Sequence, residues 1–124
     1  MRYLSMIRID EKSGQAPSEQ LMQDMGKLIE EMTRNGVLIS TAGLRPTAEG
    51  VRVRLRSGKL STTDGPFTET KEVIGGYAIS ELRSKEEAVA LAKEFMQLHL
   101  DHMPGWEGTC EVRAFFDGAP GECS

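Results

Sequence analysis

Two segments of this chain carry apolar residues at helical spacing, and each lies between runs that alternate like strands. In the first, Leu21, Met22, Met25, Leu28, Ile29 and Met32 fall three and four residues apart, a single helical stripe. Ser18 offers an N-cap oxygen before it and Asn35-Gly36 a left-handed stop after it, which predicts a helix from Ser18 to about Asn35. In the second, Ser84-Lys85-Glu86-Glu87 reads as a capping box, with Ser84 at the N-cap and Glu87 three residues on. Ala88, Ala92, Phe95, Met96 and His99 form its stripe, Leu91 and Leu98 widen it, and Pro104-Gly105 stops it.

Around these helices the spacing changes to that of strands. Arg2–Ile9 is apolar on both faces, Tyr3/Ser5/Ile7/Ile9 and Leu4/Met6/Arg8. A polar loop follows over Asp10–Pro17. Val37–Leu44 resumes the strand pattern, and Pro46 ends it. Val51, Val53 and Leu55 alternate with Arg52, Arg54 and Arg56, and Ser57-Gly58 is a two-residue hairpin turn into Lys59–Thr63. Asp64-Gly65-Pro66-Phe67 breaks that strand, because a proline constrains both itself and the residue before it. Gly75-Gly76 opens a strand to about Leu82, and Thr109–Phe116 closes the series with Cys110, Val112, Ala114 and Phe116 on one face. Without the hairpin the order is βαββαβ, so the predicted fold is α+β and ferredoxin-like: an antiparallel sheet with two helices on one face. The other face then carries apolar groups, which soluble monomers seldom expose, and a homo-oligomer built on that sheet face is expected.

With 124 residues the chain is read as one domain, residues 1–124, with no internal repeat or dividing linker. Hydrophobic residues make up 39% and charged residues 27%, a composition that excludes disorder. No apolar run approaches the length of a membrane-spanning helix, and Met1–Met6 has no apolar leader core, so a cytoplasmic protein is expected. Fifteen basic against nineteen acidic residues leave a net charge of −4, unsuited to sequence-independent nucleic-acid binding. Two cysteines, Cys110 in a strand and Cys123 near the end, are too few for a disulfide framework.

Several residues are candidates for chemistry. Asp64 is either a tuned carboxylate for general acid–base work or a turn cap before Gly65-Pro66, with Phe67 anchoring the loop in the core. Glu69, Lys71 and Glu72 charge the following loop, as ligand contacts or as a solvated lid. His99 and His102 are the only histidines. His99 continues the apolar stripe, so it reads as a core residue, and the pair lacks further metal ligands. His102 lies at a helix C-terminus, where the helix dipole favours positive charge, and is the better catalytic candidate. Glu111 and Arg113 face away from Cys110 and Val112, and Arg113 either bridges to a carboxylate in a dimer or meets an anionic ligand. The stripe Arg52, Arg54 and Arg56 reads as a solvated face. Gly75-Gly76 matches no nucleotide-binding motif, and no cofactor is implied.

Three stretches resemble the DGPF group of the YCII-related proteins. They are Thr63-Asp64-Gly65-Pro66-Phe67 with Glu69, Lys71, Glu72 and Gly75-Gly76-Tyr77; Thr41–Pro46; and His102-x-Pro104-Gly105 with Glu111-Val112-Arg113. The resemblance implies a dimeric α+β barrel, two protomers packed sheet against sheet, and a small-molecule-binding protein whose activity is open. Two alternatives stand beside it, the first drawn from the residues themselves and the second from family context. One is a cofactor-independent acid–base enzyme, isomerase- or lyase-like, on a small organic acid, with Asp64 and His102 as catalytic groups and Arg113 for the anion. The other is a regulatory partner of an extracytoplasmic-function sigma factor. In the YCII branch a histidine on the first helix pairs with a downstream aspartate. Here Ser18–Asn35 contains no histidine.

Overall fold

A computed structural model describes residues 1–13 and 15–116; Cys123 lies outside the described residues. The strands and helices follow in the order β1 (Arg2–Ile9), α1 (Glu19–Arg34), β2 (Leu38–Gly43), β3 (Val51–Arg56), β4 (Lys59–Asp64), β5 (Val73–Glu81), α2 (Lys85–His102) and β6 (Gly108–Ala114). The sheet order β2-β5-β1-β6 puts the two strands that follow the helices, β2 and β6, at its edges, and all its pairs are antiparallel. This is the ferredoxin-like α+β arrangement expected. The sheet is open in the single chain, so a barrel is not closed by one protomer.

The caps form as their chemistry demands. The Ser18 hydroxyl accepts from the Leu21 N–H at 3.2 Å, and the Ser84 hydroxyl from the Glu87 N–H at 3.2 Å. Glu87 reaches back to the Arg83 N–H at 2.8 Å instead of Ser84, one residue further than a reciprocal capping box. The helix-facing side of the sheet carries Ser5, Ile7 and Ile9 of β1 and Cys110 of β6. Register places Leu4 and Met6 opposite Ile79 and Tyr77 on one side and Arg113 and Glu111 on the other, which assigns these six residues to the open face. Among the described residues the buried apolar side chains are few: Tyr3, Leu21, Leu28, Ala88 and Met103.

The hairpin is an insertion, as expected, and departs from expectation only in which of its faces is covered. β3 and β4 form their own two-stranded sheet and do not join the main one. Its turn has Ser57 and Gly58 both at positive φ, 50° and 73°, the mirror-image geometry that suits strand twist. The arginine face is the covered one. Arg52 lies 3.8 Å over the Phe67 ring, pairs with Glu69 at 2.7 Å and donates to Thr70 Oγ1 at 3.0 Å. Phe67 is therefore held against the hairpin instead of anchoring in the main core. Alternation showed that the two faces differ in polarity. Which face the rest of the chain would cover depended on where the segment after β4 folds back.

Candidate functional site

Along the helix-facing side of central strand β5, the residues in turn are Gly76, Ala78 and Ser80. Small side chains in a row leave the space under the helices unfilled. The result is a cavity of about 470 Å³, bounded by Ile7 and Ile9 below and Met25, Leu28, Phe95 and His99 above. That volume is in the range of small-molecule sites. Among the described residues no Asp, Glu, Lys or Arg lines it.

His99 is the cavity's strongest polar group. It is 8% exposed, and its ring sits 4.4 Å from Trp106 and 4.8 Å from Phe95 between centroids. Its Nδ1 lies 3.1 Å from the Phe95 carbonyl oxygen, one turn back on α2. A carbonyl oxygen only accepts, so Nδ1–H donates there, and Nε2 has no hydrogen-bond partner among the described residues. Cys110 also lines the cavity, and burial pushes its thiol above the ordinary range, which disfavours the nucleophilic thiolate.

The residues singled out from sequence do not converge on this cavity. Asp64 ends β4, is exposed, and its carboxylate accepts no hydrogen bond from any described residue, so the turn-cap bond is absent. Other contacts hold the turn. The Gly65 N–H donates to the Gly50 carbonyl at 2.9 Å, and a Cβ on Gly65 would run into the Thr47 carbonyl. Thr47 in turn accepts from the Phe67 N–H at 3.3 Å and donates through its own N–H to Glu11 at 2.7 Å. The Thr47 hydroxyl also bonds Glu11, and these contacts hold the Glu11 carboxyl below the usual carboxylate range. Glu69 is tied to Arg52 and Arg54, and Lys71 is exposed. Arg113 is exposed on the open face of the sheet, and Glu111 beside it bonds Arg8 at 3.3 Å.

His102 has a partner the sequence reading missed. Its Nε2 lies 2.8 Å from Oδ2 of Asp24, joining α2 to α1, with both side chains about one-quarter exposed. An aspartate at position 24, between Leu21 and Leu28 of the apolar stripe, was the available signal: an acid on a packed helix face needs a partner. His99 and His102 thus turn to different neighbours. Among the described residues no three His, Cys, Asp or Glu side chains cluster as a metal site would require. No helix there is long and apolar enough to cross a membrane.

The profile of the YCII-related domain matches residues 1–97. An uncharacterised protein of Rhizobium meliloti (strain 1021) is 31% identical over 104 residues, covering 84% of this chain and 80% of its own. The match takes in β1, the capped first helix, the hairpin and its Asp64–Phe67 turn, and most of α2. On that evidence the chain belongs to the YCII-related family.

Proposed function

We propose that this protein binds a small, uncharged and largely apolar molecule between its helices and its sheet. The observation that carries this reading is the cavity of about 470 Å³ whose lining lacks acidic and basic side chains apart from His99. An anionic ligand would be left without a counter-charge there, because Arg113 is on the opposite face of the sheet. A ligand with one hydroxyl or N–H donor would satisfy His99 Nε2, while its apolar body meets Ile7, Met25, Leu28 and Phe95. The neutral dye N-phenyl-1-naphthylamine has this character and gains fluorescence in apolar surroundings. It is expected to bind saturably to the wild type. Filling the cavity with Ala78→Phe should abolish binding. His99→Phe should weaken it about fivefold, the worth of one hydrogen bond near 1 kcal/mol. Absence of saturable binding would overturn the reading.

A second reading, acid–base catalysis, is favoured by the 2.8 Å contact between His102 and Asp24, a carboxylate placed to orient an imidazole. Neither residue lines the cavity, so this chemistry would take place at the seam between the helices.

We also propose that the chain works as a homodimer through the open face of its sheet. Register places the apolar Leu4, Met6 and Ile79 on that face, a grouping that soluble monomers seldom leave to solvent.

A further inference from the structure

The hairpin leaves one face bare. Val51, Val53, Leu55 and Leu60 are 55, 65, 71 and 73% exposed. Register makes this a continuous strip: Leu55 stands opposite Leu60, Val53 opposite Thr62, and Val51 opposite Asp64. Neither strand of the hairpin packs closely on any other strand or helix. The opposite face is already closed by Phe67 and Glu69 through Arg52, so the ribbon is held in place while its apolar side has no cover.

We propose that this apolar face of the hairpin docks on the open sheet face of a second copy of the chain. The inference rests on the homodimer proposed above and names the element that makes it. Register places Leu4, Met6 and Ile79 on the open face, each half-buried in the single chain. A strand of six residues is about 20 Å long, and four strands side by side span about 15 Å, so the ribbon is long enough to cross the sheet. Charge fits as well. Asp64 is on the apolar side of the hairpin and Arg113 is on the open sheet face, and neither has an ionic partner among the described residues. Docking brings Asp64 of one copy to Arg113 of the other. Because each copy gives a hairpin and receives one, the exchange closes at two chains and does not propagate.

Light scattering coupled to size exclusion at micromolar concentration tests this, with far-UV circular dichroism as a check on folding. The wild type is expected at twice the 13.7 kDa chain mass. Leu55→Glu combined with Leu60→Lys keeps an oppositely charged cross-strand pair in the hairpin and should give a folded monomer. Asp64→Arg and Arg113→Asp should each raise the dimer dissociation constant at least tenfold, and the two together should restore it. A monomeric wild type overturns both the homodimer and the hairpin docking, and leaves the face to a partner of different sequence. A dimeric wild type whose Leu55→Glu, Leu60→Lys variant stays dimeric overturns the hairpin docking alone. A charge-swapped double variant no tighter than the single reversals overturns the Asp64–Arg113 contact that sets the register.

Discussion

Glu11 shows how much of the Asp64–Phe67 turn is held from outside it. Its carboxylate takes two bonds from Thr47, and the Thr47 hydroxyl oxygen accepts one from the Phe67 N–H. Those bonds favour the charged form, so the folded carboxyl titrates below its ordinary value of 4.5. A depressed folded value means the stabilisation is present above the unfolded value and is lost as pH falls through the folded one. Glu11→Gln is therefore expected to have a lower urea midpoint than the wild type at pH 7. The difference should close as the pH drops below about 4.5. A gap that persists unchanged at pH 3 would show that the Glu11 charge is not the cause. Asp64 teaches the converse. Its place in Asp-Gly-Pro suggested a cap, because the residue types suit one, yet the bonding partner that closes the turn is Gly50, fifteen positions earlier in the chain. A motif read locally cannot show a contact of that kind.

The secondary-structure elements were the most legible level. Arg2–Ile9 is β1 to the residue, and the helix expected from Ser18 is capped by Ser18 itself. Both depend on neighbours in sequence, alternation in one and an N-cap oxygen in the other. Ser18→Ala should therefore cost about 1 kcal/mol, within the usual 0.5–2 for a lost cap, read as a lower urea midpoint. Ser18→Asp should recover most of it, since its carboxylate can accept the same Leu21 N–H bond. Strand ends were less legible. The last strand stops at Ala114 instead of Phe116, where pairing with β1 ends, and Phe116 is 83% exposed. The hairpin was legible as a hairpin and misread as to its covered side.

At the scale of the whole molecule, a thin core goes with two apolar faces that the single chain leaves open. Five buried apolar side chains among the described residues make a thin core, and in the proposed homodimer the open sheet face and the hairpin strip would add to that burial. Association of folded copies shifts unfolding by mass action. The thermal midpoint is therefore expected to rise by a few degrees as protein concentration goes from about 1 to 100 µM. A midpoint independent of concentration would mean that the chain folds and melts as a monomer.

What the sequence determined by itself was the kind and order of the elements, because helical stripes, alternation, caps and turns are written over a few neighbouring residues. From these the ferredoxin-like α+β arrangement followed. The tertiary structure alone decided the site. The cavity exists because Gly76, Ala78 and Ser80 of β5 lie beneath Met25, Leu28 and Phe95, a coincidence of small with distant residues that only sheet register creates. The Asp24–His102 contact joins residues 78 positions apart. The bare hairpin face follows from where the segment after β4 turns back, and that is set by Arg52, Phe67 and Thr47 together. Local pattern fixes what an element is. Packing between distant segments fixes which of its faces is left for a ligand or a second chain.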